Sequence, residues 1–271
     1  MRVAIYQCEP RPGDVGANLD RLAGVAEDAA AQGVQLLLCP EMFLSGYDIG
    51  ASAADRLAEP RDGDSAGAVA RIARESRLAI LYGYPERAPQ GAVFNAVQLI
   101  GADGASLANY RKTHLFGELD RSMFSPSDDS SALVELNGWR LGLLICYDVE
   151  FPENARALAL AGVDLIAAPT ANMDPYEVVA TTLVPARAYE NQVYFAYANY
   201  CGHEGEISYC GQSCVAAPDG TDAARAGRDE ALIVADLDRE AMTASRKLNT
   251  YLADRRPELY AALTSTRTGR T

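Results

Sequence analysis

One unit recurs in the chain and limits what it can fold into. An Ala-rich stretch with helical spacing ends at a glycine, a short apolar run follows, and the run stops at a proline. Leu19–Gln32 carries apolar residues at 19, 22, 23, 26, 29 and 30, Gly33 ends it, and Val34–Cys39 leads to Pro40. The second copy is the helical start at Phe151-Pro152-Glu153, then Gly162, then Val163–Ala168, then Pro169. Strands apolar on both faces belong in the middle of a covered sheet, and strands that alternate with helices build a layered α/β domain. The pair suggests two similar halves, although unrelated αβ units also look alike. Open α/β sheets put their functional loops at the carboxyl ends of such strands.

The rest of the chain fits that frame. Ser65–Arg77 reads as a second amphipathic helix and Leu78–Tyr84 as a strand. The turn Gly101-Ala102-Asp103-Gly104 joins Val93–Ile100 to Ala105–Tyr110, and Asn137-Gly138 joins Ala132–Leu136 to Arg140–Ile145, so two hairpins are expected. Tyr176–Asn191 reads as a helix kinked at Pro185. Val193–Asn199, Ser208–Ala217 and Leu232–Asp236 read as strands. From Leu237 the chain is expected to be irregular, with a short helix near Pro257–Leu263. No linker divides the 271 residues, so 1–271 is expected to be one domain, with 237–271 an extension for packing or oligomer contacts.

Charge and composition exclude several classes. The 24 Lys and Arg against 37 Asp and Glu leave a net charge of −13, the wrong sign for a nucleic-acid partner. No apolar run approaches the ~20 residues of a membrane helix. Met1–Gln7 alternates like a strand and lacks the apolar core of a signal peptide, so a cytoplasmic location is expected. No G-x-G-x-x-G or Walker-type loop is present for a nucleotide.

The six cysteines, at 8, 39, 146, 201, 210 and 214, are read singly, because an even count in a large cytosolic chain does not imply disulfides. Cys8 and Cys39 fall on strand runs and read as core. Cys201, His203, Cys210 and Cys214 have the spacing C-x-H-x6-C-x3-C, which matches no common zinc pattern, so neither metal nor cofactor is expected. Cys146 follows the apolar run Leu141–Ile145 and precedes a turn into a helix, where backbone N–H groups can stabilise a thiolate or an oxyanion. From position alone a buried core cysteine is the competing reading. A nucleophile needs a base. Glu41 ends a buried strand, where a dry setting raises a carboxylate's pKa and suits it to proton transfer. Lys112, after another strand, offers a cation for a developing oxyanion. His114 offers a Cys–His pair instead.

Pro40-Glu41, Tyr110–His114 and Cys146-Tyr147-Asp148 with Phe151-Pro152-Glu153 together resemble the three signature blocks of the nitrilase, or carbon–nitrogen hydrolase, superfamily. PEMFLSGYDIG (40–50), YGYPER (82–87), NYRKTHLFGELDRSMFSP (109–126), GLLICYDVEFPENAR (142–156), PTANM (169–173) and YANYCG (197–202) are similar to its 5-aminopentanamidase branch. The resemblance implies a four-layer α-β-β-α sandwich of two similar halves. It implies hydrolysis of 5-aminopentanamide to 5-aminopentanoate and ammonia, as in lysine degradation, with no cofactor, and a homodimer or larger homo-oligomer. Glu41 is then the general base, Lys112 the oxyanion cation, Cys146 the nucleophile and the Tyr147 N–H a second oxyanion donor. Many members carry a second glutamate after the lysine. That position falls here on Asp120, with Glu118 the nearest glutamate, and both stand as candidates. A cationic substrate needs a carboxylate reader: Glu150 first, then Asp48, Asp174 and Glu177. Asn172 and Tyr47 are further substrate-binding candidates. A broader aliphatic or amino-acid amidase, an N-carbamoyl hydrolase, a nitrilase and a non-catalytic binding protein are the alternatives.

Overall fold

Strand alternation sets the layers. The computed structural model describes residues 1–129 and 132–264. Its first part runs β1 (Arg2–Gln7), α1 (Val15–Ala31), β2 (Leu36–Leu38), α2 (Gly50–Leu57), α3 (Asp64–Ser76), β3 (Ala79–Arg87), β4 (Val93–Ile100), β5 (Ser106–Arg111) and α4 (Gly117–Met123). The second runs β6 (Ala132–Leu136), β7 (Trp139–Leu143), α5 (Pro152–Leu160), β8 (Leu165–Pro169), α6 (Val184–Asn191) and β9 (Tyr194–Ala198). There follow β10 (His203–Glu204), β11 (Ile207–Ser208), β12 (Cys214–Ala216), β13 (Asp222–Arg225), β14 (Ala231–Asp236) and α7 (Arg239–Leu248).

Two six-stranded mixed sheets result, in the orders β14-β1-β2-β3-β4-β5 and β13-β12-β9-β8-β7-β6. In the first, Val3, Ile5, Leu36, Leu38, Ala79 and Leu81 share a core with Leu141, Leu143 and Leu165 of the second. The alternate residues Ala4, Tyr6, Leu37, Ile80 and Tyr82 pack with Leu22, Val25, Val69 and Ile72 of α1 and α3. Leu158 of α5 and Ala188 of α6 pack with the second sheet. The order helix, sheet, sheet, helix is the expected four-layer sandwich, and period-two burial is its cause. The halves correspond: β2 lies between parallel β1 and β3, and β8 between parallel β7 and β9. Gly33 and Gly162 both adopt positive φ, 72° and 83°, where the chain leaves its helix for the central strand.

Local chemistry explains the boundaries. The Asp14 side chain caps α1 by accepting from Ala17 N at 2.9 Å. Asn137 (φ 50°) and Gly138 (φ 76°) make the tight β6–β7 turn. The helix expected over Tyr176–Asn191 is present from Val178: a π-helical stretch over Val179–Leu183 runs directly into α6, and the change of winding falls beside Pro185. Two expectations are corrected. Ser208–Ala217 is not one strand, because Gly211 and Gln212 take positive φ (64° and 59°) between β11 and β12. The stretch after Leu237 holds α7, capped by Asp238 accepting from Glu240 N at 2.7 Å. Met242 is its one buried residue. Arg246 of α7 donates to the carbonyls of Gln192 and Val163, and the Arg239 guanidinium stacks 4.3 Å from the Trp139 ring. Of the extension 237–271, residues 265–271 lie outside the described residues. Among the described residues no helix is long and apolar enough to cross a membrane.

Candidate active site

β5 is antiparallel to β4, and β4 to β3, so β2 and β5 end at the same edge of the first sheet. Glu41 and Lys112 leave from those ends. β3 passes directly under the Glu41–Met42 peptide at Gly83, where a Cβ would sit 2.2 Å from Met42 N. Across the sandwich, Glu41 N donates to Thr170 O, just beyond β8, at 3.3 Å. Lys112 Nζ donates to Glu41 Oε1 at 2.7 Å and to Asp120 Oδ2 at 2.6 Å, and all three side chains are fully buried. Asn95 Nδ2 donates to Glu41 Oε1 at 2.6 Å, and Phe116 N donates to Asp120 Oδ2 at 2.9 Å. The Tyr47 ring lies 5.7 Å from Lys112 Nζ. One ammonium thus lies between two carboxylates away from water, a geometry that water cannot screen.

Four buried oxygens of this cluster lack a hydrogen-bond partner: Glu41 Oε2, Asp120 Oδ1, Asn95 Oδ1 and the Tyr47 hydroxyl. Such atoms are costly in a dry interior. Burial pushes the Glu41 carboxyl up, against the opposing pull of Lys112. Burial alone would lower Lys112, but Glu41 and Asp120 outweigh it and hold the ammonium well above its usual range.

Cys146 follows β7 and opens a single 3-10 turn, Cys146–Glu150. Its φ of 46° is left-handed, a conformation few non-glycine residues adopt. Burial first, and Glu41 second, push its thiol up; Lys112, the Thr170 hydroxyl and the Ala171 peptide pull the other way. Cys146 opens onto a cavity with Tyr47, Phe116, Glu150, Asn172, Met173 and Tyr176 around it. The cavity is narrow, with about 10 Å³ reachable by the centre of a water molecule. Cys146 and Tyr47 line this cavity, the Tyr47 ring lies against Lys112, and both Glu41 and Lys112 act on the thiol; such a set can add a nucleophile to a carbonyl and move its proton.

Residues 2–247 match the carbon–nitrogen hydrolase family. The chain belongs to that family. It is 64% identical over 260 residues to a hydrolase in the pqqF 5′ region of Pseudomonas protegens, spanning 96% of this chain and 90% of the relative. It is 37% identical over 257 residues to an (R)-stereoselective amidase of a Pseudomonas species, spanning 94% and 92%. Among solved structures, it resembles a variant amidase of Nesterenkonia sp. AN1 in which acrylamide has added to the active-site cysteine, with TM-score 0.83 and 34% identity. That match covers 97% of this chain and 99% of the other. The chain is an amide-acting hydrolase of this family, with the fold of its amidases.

The carbon–nitrogen hydrolase fold separates the other candidates. Asp120, not Glu118, reaches Lys112; Glu118 is exposed. Glu150, Asn172 and Tyr47 line the cavity, and burial pushes the Glu150 carboxyl up. Asn172 is held by its Nδ2 donating to Tyr176 O at 3.0 Å. Asp174 and Glu177 are corrected as ammonium readers: both pair with Arg228 on the surface. Asp48 is not among the cavity residues, and its N–H donates to the buried Glu204 at 3.1 Å. His114 does not serve Cys146. Its ring stacks on Phe151 at 4.0 Å, and its Nδ1 lies 2.9 Å from Asp148 Oδ1, on a hollow lined by Tyr147 and Arg121. Cys201, Cys210 and Cys214 are buried while His203 is exposed, and among the described residues no three His, Cys, Asp or Glu side chains could hold a metal.

Two supports escape the sequence reading. Asn95, one of two buried polar residues in β4 with Gln98, holds Glu41, and a polar side chain inside so apolar a strand is a signal the two share. Arg187 of α6 donates to the carbonyls of Val149 and Glu150, closing the nucleophile turn. No pattern within α6 marks it. A larger hollow of about 500 Å³, lined by Arg61, Glu86, Asn109 and Arg111, lies beyond β3–β5. Its Arg111 and Glu86 pair with each other at 2.5 Å, and it holds no thiol.

Proposed function

We propose that the chain hydrolyses 5-aminopentanamide to 5-aminopentanoate and ammonia through an acyl-thioester on Cys146. The observation that carries this is Lys112 held between Glu41 and Asp120 beside the Cys146 cavity. The Cys146 sulfur bonds to the amide carbon and its proton passes to Glu41, whose Oε2 is unengaged. Lys112 and the Tyr147 N–H, a donor without an acceptor inside its own turn, stabilise the oxyanion. As the C–N bond breaks, Glu41 gives its proton to the nitrogen and ammonia leaves. Glu41 then takes a proton from water, the hydroxide adds to the thioester, and the C–S bond breaks with the proton returning to sulfur. Asp120 holds Lys112 in place.

Glu150 reads the distal ammonium, with Asn172 and Tyr47 shaping the path to it. Its position on the cavity supports this. A broader amidase is the second reading, favoured by the likeness to the (R)-stereoselective amidase and by a Nesterenkonia structure that holds butyramide. The chain acts as one domain over 1–271 and works in the cytoplasm as a homodimer or larger homo-oligomer. Residues 237–271 serve packing or oligomer contacts, and Leu259 and Leu263, 59% and 67% exposed, support that role.

Ammonia release from 5-aminopentanamide, 4-aminobutanamide, pentanamide, N-carbamoylputrescine and pentanenitrile tests the reading, with Glu150→Gln alongside. The expected result is a preference for 5-aminopentanamide over pentanamide that Glu150→Gln erases. Even activity over the amides supports the broader amidase. Turnover of the carbamoyl compound or the nitrile alone overturns both readings.

A further inference from the structure

Lys112 closes a strand of the first sheet and Cys146 follows a strand of the second, so their mutual placement depends on what ties those segments together. Asp148 does. It is fully buried. Its Oδ1 accepts from the Thr113 hydroxyl at 2.7 Å and from His114 N at 2.9 Å, with His114 Nδ1 also at 2.9 Å. Its Oδ2 accepts from the Tyr110 hydroxyl at 3.0 Å and from Ile145 N at 3.2 Å. Tyr110, Thr113 and His114 flank Lys112, and Ile145 precedes Cys146. One carboxylate therefore grips both sides of the ammonium-bearing residue and the residue before the thiol.

The chemistry of the contacts is specific. A carboxylate only accepts, with about four lone-pair sites, and the Thr113 and Tyr110 hydroxyls and the His114 and Ile145 peptide N–H groups all donate to it. An asparagine must turn an N–H2 group against some of them. The bond from Ile145 N to the side chain three residues on also spans Cys146, whose left-handed φ of 46° persists only where its surroundings over-determine it. The Asn154 side chain extends the tie into α5, its Nδ2 donating to Asp148 O at 2.9 Å.

We propose that Asp148 is a positioning residue for catalysis: it sets the distance and angle between Lys112 and the Cys146 sulfur. This rests on the reading of Cys146 as nucleophile and Lys112 as oxyanion cation. Asp148 touches no reacting atom, so its loss acts on kcat and leaves substrate binding alone. A displacement on the order of 1 Å at such a centre costs about 100-fold in rate.

The test is Asp148→Asn, assayed with 5-aminopentanamide and butanamide and by alkylation of Cys146 with iodoacetamide. The expected result, in enzyme shown to be folded by circular dichroism, is a kcat lower by about 100-fold with KM within about threefold. Cys146 alkylation slows as well. A merely structural role lowers the folded fraction and leaves both rates per folded molecule unchanged. A kcat within threefold of wild type in folded Asp148→Asn overturns the proposal. If that variant does not fold, Tyr110→Phe with Thr113→Val removes one donor from each oxygen and leaves the carboxylate. That pair is expected to lose about tenfold in kcat, with Thr113→Ser alone near wild type, and an unchanged kcat in the pair overturns the proposal. Cys146→Ala separates the two failures. If it keeps turnover, the nucleophile reading fails. If it is inactive while Asp148→Asn is fully active, only the positioning role fails.

Discussion

Replacing Lys112 with methionine tests the buried charge cluster most severely. The substitution keeps the side chain's length and removes the ammonium that bonds Glu41 at 2.7 Å and Asp120 at 2.6 Å. Glu41 is left with Asn95, and Asp120 with the Phe116 peptide. Breaking a buried ion pair from one side costs about 3–5 kcal/mol, because the remaining charge has no partner. For a chain of this size that corresponds to a fall in Tm of about 5–9 °C. The cost is bounded by proton uptake, since a stranded carboxylate can neutralise at about 1.4 kcal/mol for each pH unit above its ordinary pKa near 4. The sign follows. In the variant Glu41, already raised by burial, loses the opposing pull of Lys112 and lies further above its unfolded value, so the folded state binds more protons and regains stability as pH falls. At pH 8 the full deficit appears; at pH 5 uptake by Glu41 costs only about 1 kcal/mol, and the gap narrows. Differential scanning fluorimetry of both proteins at pH 8 and pH 5 reads this directly. Neutralising the stranded partners in Lys112→Met/Glu41→Gln/Asp120→Asn restores at least half of the lost Tm. A Tm at pH 8 within about 1 °C of wild type, or a gap that does not change with pH, refutes the cluster as described.

Three further outcomes follow from the same geometry. Because burial raises the Glu41 carboxyl, kcat/KM falls on the acid side with an apparent pKa above the ordinary glutamate value of about 4.3; a limb at or below 4 in a pH–rate profile contradicts this. Gly83→Ala drives a Cβ to 2.2 Å from Met42 N, so a loss of about 1–3 kcal/mol in urea unfolding and a marked fall in kcat are expected, and an unchanged enzyme means β3 does not set Glu41. His114→Ala keeps kcat/KM within about tenfold, since removal of a true general base costs about 100- to 10,000-fold; a loss of that size reinstates a Cys–His pair.

The layers are legible in the sequence because each central strand is apolar on both faces and lies between a glycine stop and a proline. The gathering of Glu41 and Lys112 is legible only through the motif blocks, because the shared edge of β2 and β5 follows from strand pairing that no local pattern fixes. Choosing Asp120 over Glu118 is not, because the two differ only in which way a short helix turns them, and the Phe116 N–H settles it by capping Asp120. The surface carboxylates mislead. Asp174 and Glu177 lie close to the motif loops in sequence, but Arg228, more than 50 residues on by sequence separation, neutralises both. The mostly polar helix α7 is missed because its apolar residues are few and only Met242 is buried.

The central claim is that the Cys146 sulfur carries the chemistry. Cys8, Cys39, Cys201, Cys210 and Cys214 are buried to 1% exposure or less, while Cys146 opens onto the cavity. Titration of the native enzyme with iodoacetamide, followed by peptide mapping and residual ammonia release, therefore separates them. One label per chain, on Cys146, with activity falling in proportion, is the predicted result. Full labelling of Cys146 in an enzyme that still turns over its amide contradicts it.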